Sequence, residues 1–451
     1  MRKIRPVIGI ILALLFLTLC FSPQAKMVLT LPENQKLVVG ESSQIVLELP
    51  DTLKNYIQMQ VVGGSSIVFA APMEPPVAVN RQANGYEIVA LKPGKVDVSV
   101  KLLGYIPVKS MAVEAVPPRR VVVGGHSIGV MLQSKGVMVV GFAPVMDNSG
   151  AKVCPARDEG IQIGDLILKV NGKGVGSEND LARIIDNHRE EKMVLTVQRR
   201  EQVFEVPVAG YYCPETQRYR IGLYVRDGVV GVGTLTFWDP QTREYAALGH
   251  IIIDADTRQD IKVLSGQIVS ASVQSIKPGR PGRPGEKIGV FDSDGTIRGN
   301  IIKNTGYGIF GRIDEEISNP LHRYSMEVGY AHQVKKGKAQ IYTVINGNDI
   351  EAFDIIIEKV YPERQNGKGM VIRVTDQRLL NVTGGIIQGM SGSPIVQNNR
   401  IVGAVTHVFL NDPQRGYGVF MDNMLSETAN EEVKYSAVST KTLDEGTGYC
   451  A

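Results

Sequence analysis

Between residues 27 and 115, hydrophobic residues fall in short runs that alternate with polar ones and are cut by Pro, Gly and Asn. The clearest run is Val96-Asp97-Val98-Ser99-Val100-Lys101-Leu102, where every second residue is apolar. That period belongs to a strand with one buried face. Strands are predicted at Lys36–Val39, Gln44–Leu49, Tyr56–Val62, Gly85–Leu91 and Lys95–Leu102. A small β-sandwich-like domain over 27–115 follows. It carries no cluster of chemistry-bearing side chains and reads as a spacer or docking unit. Val116-Pro117-Pro118-Arg119-Arg120 then reads as a linker.

The pattern changes over 121–210. Gly164-Asp165 predicts a turn into a strand at Leu166–Val170, and Asn171-Gly172 a tight hairpin after it. Ser177 is placed to cap a helix whose apolar face is Leu181, Ile184 and Ile185. Met193–Gln198 predicts another strand. The run from Pro155 to Gly172 resembles the central signature of PDZ domains, which bind a chain terminus by adding it as a strand beside a carboxylate-holding loop. The matching loop is expected at Ser127-Ile128-Gly129-Val130, with a peptide carboxylate on the backbone N–H groups of Ile128, Gly129 and Val130.

Residues 211–430 return to glycine-separated β-branched runs and hold nearly all the reactive chemistry. Within them Lys277-Pro278-Gly279-Arg280-Pro281-Gly282-Arg283-Pro284-Gly285 is of low complexity and is expected to be a flexible surface loop, open to self-processing. The tail 431–451 is polar and expected to be poorly ordered.

Gly389-Met390-Ser391-Gly392-Ser393-Pro394 resembles the Gly-x-Ser-Gly-x-Pro turn of trypsin-like serine proteases. A serine that attacks a carbonyl creates an oxyanion, and backbone N–H groups must point at it. Gly389 lets its own N–H and that of Ser391 converge; Ile395-Val396 and Ile401–Val405 then predict a buried strand pair. Met390 stands where a polar residue is common, and Ser393 is the alternative nucleophile. The hydroxyl needs a base. His250, at the end of the small apolar run Tyr245-Ala246-Ala247-Leu248-Gly249, has the setting for it. His407 reads as a strand-end side chain near the cleft, and His126 and His188 as parts of the PDZ unit. Asp376, ending the apolar run Val371–Val374, is the choice for the residue that orients the base, with Asp254, Asp256, Asp292, Asp294 and Asp354 competing on spacing.

Composition narrows the class. Hydrophobic residues are 43% and charged ones 21%, an ordinary globular balance, and the net charge of +3 comes without the clustered basic face that nucleic-acid binding needs. Arg2, Lys3 and Arg5 precede an apolar run from Val7 to Phe21, so residues 1–26 read as a signal peptide or N-terminal membrane anchor, with the rest of the chain exported. Cys154, Cys213 and Cys450 form neither a disulfide framework nor a zinc site, and no metal or organic cofactor is implied.

Taken together, the leader, the small β domain, the PDZ signature, the Gly249-His250 strand end, Asp376 and the Ser391 turn resemble the stage IV sporulation protein B family of serine peptidases. The segment Gly384–Phe420 is especially specific. The resemblance implies a trypsin-like double β-barrel over 211–430 and the triad His250, Asp376, Ser391. It also implies export into the space between forespore and mother-cell membranes, and cutting of a membrane-held regulator so that a pro-sigma factor is processed. Self-cleavage and control through the PDZ unit belong to the same expectation.

Overall fold

The computed structural model describes residues 31–47, 54–62, 75–146, 150–261, 263–292 and 295–428. The expected leader, the polar tail, Cys20, Asp294 and Cys450 lie outside them. Among the described residues, no helix is long and apolar enough to cross a membrane.

The first domain is a sandwich. One sheet orders its strands Asn34–Val38, Ile106–Val116, Gly94–Leu102 and Ile57–Val62; the other orders Ser42–Val46, Gly85–Ala90 and Val77–Gln82. Leu37, Ile88, Val98, Val100, Met111 and Val113 meet between them. The strands Val77–Gln82 and Ile106–Val116 escape the sequence reading because their exposed stretches break the alternation.

Two six-stranded barrels follow. In the first, Ser127–Phe142, Leu223–Trp238, Glu244–Ala247, Gly308–Arg312, Arg298–Asn300 and Val263–Lys277 pair in a ring, closed by a bridge between Gly299 and Ile313. In the second, Gly337–Val344, Ile350–Val360, Met370–Val374, Asp412–Phe420, Arg400–Phe409 and Pro394–Gln397 close likewise. Each is lined by its own apolar cluster. A third cluster, with Phe237, Phe310, Tyr342 and Val419, joins them. The chain is mainly β, with a double barrel of trypsin-like kind.

The PDZ unit sits differently from the sequence reading. It does not precede the barrels but interrupts the first one. The antiparallel strands Ser127–Phe142 and Leu223–Trp238 have one half in the barrel and the other in the PDZ unit. Bulges between Tyr224 and Val225 and between Arg226 and Gly228 mark the passage, as expected where a strand must bend. Inside the unit, local signals play out as read. Asn171 and Gly172 take positive φ at the hairpin. Ser177 Oγ accepts from the Asp180 N–H at 3.0 Å to cap the helix Glu178–His188, which buries Leu181 and Ile185. Asp165 is buried and holds Arg199 through two bonds of 2.7 Å.

Candidate active site

The nucleophile loop begins at a helix, Gln377–Thr383, that ends at Gly384 in the left-handed conformation. Ile386 and Ile387 then bury into the second barrel, and Met390 is fully buried among the same residues. The apolar side chain at 390 is therefore an anchor that pins the turn from below. Gly392 is dictated by space: at φ +92° an added Cβ would lie 2.1 Å from the Thr234 carbonyl oxygen and 2.4 Å from the Leu248 nitrogen. No side chain fits there, and this is where the two barrels touch.

Hydrogen bonds fix every carbonyl of the turn on one side. Thr234 Oγ1 donates to the Gly389 carbonyl at 2.7 Å, the Thr234 N–H to the Ser391 carbonyl at 3.0 Å, and Thr236 Oγ1 to the Gly392 carbonyl at 2.8 Å. The N–H of Gly392 goes to the Val405 carbonyl and that of Met390 to the Ile387 carbonyl. The N–H groups of Gly389 and Ser391 have no such acceptor among the described residues. Two adjacent unused donors in a loop whose other groups are spent are what an oxyanion requires. Sequence reasoning missed Thr234 and Thr236, since nothing local ties a strand threonine to a loop about 155 residues on.

His250 reaches the loop because Gly249 lets the first barrel close on the second: a Cβ on Gly249 would lie 2.9 Å from Thr406 Cγ2. Leu248 before it is held at φ +69°, an uncommon backbone for a branched side chain. His250 Nδ1 lies 2.8 Å from the Ile251 carbonyl oxygen. A carbonyl only accepts, so Nδ1 carries the proton and Nε2 is left as the basic nitrogen. Burial, the larger influence, lowers the imidazole pKa below 6.5, and the bond to Ile251 opposes it. The His407 ring lies 5.1 Å away, centroid to centroid, and its pKa is pushed down to about 4 by burial, then by the charges of His250 and Lys368. His250, Ser391, Gly389 and His407 line one largely apolar cavity of about 620 Å³, with Leu248, Ile251 and Ile387 among its walls. Ser391 Oγ donates to the Thr406 carbonyl at 2.8 Å, so it must turn from that bond to meet the imidazole.

Asp376 is not brought to His250, and this corrects the sequence assignment. It is the cap of the helix Gln377–Thr383: its Oδ1 accepts from the Arg378 N–H at 2.9 Å, and its Oδ2 pairs with the Arg378 guanidinium at 3.0 Å. Burial alone would raise the Asp376 pKa, but the bonds from Arg378 and the Asp354 N–H outweigh it and hold the carboxyl below its ordinary value. A strand-end Asp reads the same in sequence whether it turns to a histidine or to the next helix. Among the competitors, Asp254 is buried and paired with Arg226 at 2.7 Å. The group that orients His250 in this structure is a backbone carbonyl. Ser393, the alternative nucleophile, is fully buried, its Oγ has no partner among the described residues, and it does not line the cavity.

The loop Lys277–Gly285 is also corrected. It packs on the nucleophile segment: the Gly279 N–H donates to the Thr383 carbonyl at 2.8 Å, that of Gly282 to Leu410, and Arg280 and Arg283 exchange two bonds. Pro284 lines the cavity beside Ser391. Next to it Lys287 is fully buried, bonded to Thr343 Oγ1 at 2.7 Å, and burial pushes its pKa down to about 7.

Ser127, Ile128, Gly129 and Val130 do not form a carboxylate loop. They lie inside the first barrel, paired on one side with Gly231–Thr234 and on the other with Ile268–Ser270. His126, read with the PDZ unit, bonds the Ser318 carbonyl instead. The cleft of the PDZ unit, about 280 Å³, runs between Leu181, Ala182 and Ile185 of the helix and Ile221, Leu223 and Val225. Arg220-Ile221-Gly222-Leu223 repeats the Ile-Gly-aliphatic pattern of the segment first chosen; only tertiary placement separates the two. Cys154 and Cys213 are unbridged, with Cys154 Sγ bonded to the Gly222 carbonyl.

A nucleophile turn with paired free N–H groups, a histidine facing it across two barrels, and a PDZ unit together define a PDZ-containing serine peptidase. Residues 217–425 match the family described as SpoIVB peptidase S55, and residues 147–199 match a PDZ domain. These two matches, one for a peptidase region and one for a PDZ domain, agree with the resemblance read from the sequence. The peptidase match begins after the strand Ser127–Phe142, which the first barrel needs. No curated protein matches the chain. Among solved structures, the PDZ domain of the SdrC-like protein (Lmo2051) of Listeria monocytogenes is 18% identical, covering 20% of this chain and 87% of that one, with a TM-score of 0.17. The active form of the Rv3671c protease of M. tuberculosis is 13% identical, covering 44% and 72%, with a TM-score of 0.24. Its inactive form is 12% identical, covering 43% and 81%, with a TM-score of 0.26.

Proposed function

We propose that the chain is a serine endopeptidase working through an acyl-enzyme, with Ser391 as nucleophile and His250 as base. The carrying observation is the pair of unspent N–H groups on Gly389 and Ser391 in the cavity that His250 lines. Ser391 Oγ turns from Thr406 and bonds the peptide carbonyl carbon, while its proton passes to His250 Nε2. The oxyanion sits on the two N–H groups. As the C–N bond breaks, His250 gives the proton to the leaving amine; water, deprotonated by His250, then attacks the ester, and His250 returns that proton to Ser391 Oγ as the acyl C–O bond breaks. The Ile251 carbonyl keeps the tautomer right throughout, the task an aspartate performs in the familiar triad. Apolar walls favour aliphatic substrate side chains near the cut.

The biological reading follows the family. The substrates are proteins, among them the enzyme itself and a membrane-anchored regulator whose cutting leads to pro-sigma factor processing in sporulation. The site of action is the space between the forespore and mother-cell membranes, and the PDZ cleft takes a peptide ligand. A fluorophosphonate probe tests the chemistry: a single adduct on Ser391, lost in His250→Ala, supports it. An adduct on Ser393, or none while the protein cleaves itself, overturns it.

A further inference from the structure

The hairpin joining Gly94–Leu102 to Ile106–Val116 ends in Leu102-Leu103-Gly104-Tyr105-Ile106-Pro107-Val108, between Lys101 and Lys109. Among the described residues its large side chains have no cover: Tyr105 is 88% exposed, and Leu102, Leu103, Ile106 and Val108 are between 37% and 54% exposed. Tyr56, at the start of the neighbouring strand where Ile57 faces Leu102, adds another half-exposed ring to the same end. So many apolar side chains gathered on one tip mark an interaction surface.

The path of the chain says what faces this tip. Asn34–Val38 runs parallel to Ile106–Val116, with Asn34 opposite Ala112 and Val38 opposite Val116. A strand parallel to one leaving the tip must enter from the tip. Glu33 confirms the entry point, since its carbonyl accepts from the Ala112 N–H at 2.8 Å and its carboxylate pairs with Lys109 at 3.8 Å. The apolar run Val7–Phe21 ends about a dozen residues before Glu33, a tether of about 40 Å at most. Lys54 and Lys101 stand at the rim, held towards Asn84 and Gln60. Aromatic and aliphatic side chains at a tip, with lysines behind them, are the composition of a segment that seats in the headgroup region of an anionic bilayer.

We infer that the tip Leu102–Val108 inserts into the lipid surface beside the N-terminal apolar segment. The sandwich then fixes the orientation of the barrels on the membrane, since Glu363, just after the second-barrel strand Ile350–Val360, meets Glu33 and Lys109 at the base of the tip. This does not depend on the catalytic reading.

The test uses the full chain reconstituted into phosphatidylcholine–phosphatidylglycerol vesicles, with Tyr105→Trp as reporter and Leu91→Trp, before the opposite end of Gly94–Leu102, as control; the buried Trp238 is common to both. Lipids brominated on the acyl chain should quench Tyr105→Trp at least about twofold and shift its emission to the blue, leaving Leu91→Trp unchanged. Equal quenching of both, or of neither, overturns the inference. So does a blue shift of Tyr105→Trp that grows with protein concentration in detergent without vesicles, since a second copy would then cover the tip.

Discussion

Replacing Thr234 by Val keeps the shape of a fully buried, β-branched side chain and removes one hydroxyl. That hydroxyl is the donor to the Gly389 carbonyl. Val leaves that buried carbonyl short of a partner, at a cost of about 1–3 kcal/mol. The loop can recover part of this by shifting its backbone about Gly389, which moves the flanking N–H groups of Gly389 and Ser391 off the oxyanion. Losing one oxyanion donor outright costs about 100- to 1000-fold in kcat, so partial misalignment should cost roughly 10- to 100-fold. The donors act on charge present only in the transition state, so kcat should fall while KM stays within about twofold. Steady-state cleavage of a chromogenic peptide reads both, with thermal unfolding to confirm the fold. Thr234→Ser restores the hydroxyl and should return kcat to within about threefold of the parent. A folded Thr234→Val enzyme with unchanged kcat, or a Ser form as slow as the Val form, refutes the reasoning.

Three further outcomes follow from the same geometry. The base must be neutral and its pKa is lowered by burial, so kcat/KM should rise with pH through a midpoint below 6.5; a midpoint above 6.5 would mean a carboxylate supports the imidazolium after all. Lys287 has its pKa lowered on folding from 10.5 to about 7, so the unfolded chain binds the extra proton between those values and stability must rise with pH across them. Urea unfolding at pH 7 and pH 9 should show a gain of about 2 kcal/mol from this group, which Lys287→Met abolishes; an equal gain in the Met form shows that it comes from elsewhere. Asp376→Asn should cost about 1 kcal/mol of stability through the weakened cap and ion pair, with kcat falling less than about tenfold, whereas a loss of about 10⁴ would assign it to His250.

The features legible in the sequence are those whose cause is local. The PDZ hairpin at Asn171-Gly172, the Ser177 cap and the Gly389–Pro394 turn each follow from residues a few positions apart. The choice of His250 rests on a local pattern, a histidine after a small apolar strand, and the fold places it in one cavity with Ser391. What was hidden depends on distant partners. The strands Ser127–Phe142 and Leu223–Trp238 each run on from barrel to PDZ unit, and their polar breaks at Gln133-Ser134-Lys135 and Arg226-Asp227 look in sequence like ordinary turns rather than the passage between two units. An Ile-Gly pair occurs within the first strand and again just before the second, and this misdirected the carboxylate loop. Pro and Gly in Lys277–Gly285 rule out regular structure, but they do not forbid a turn packed against Gly384.

The central claim is that the Ser391 hydroxyl performs the cleavage. Residues 27–451, their Ser391→Ala form and their Ser393→Ala form should be incubated in parallel, with fragments followed by mass spectrometry. The account predicts that the parent and the Ser393→Ala form cut themselves or an added peptide at the same sites, and that the Ser391→Ala form cuts nothing. Cleavage by the Ser391→Ala form at the parental rate would contradict it.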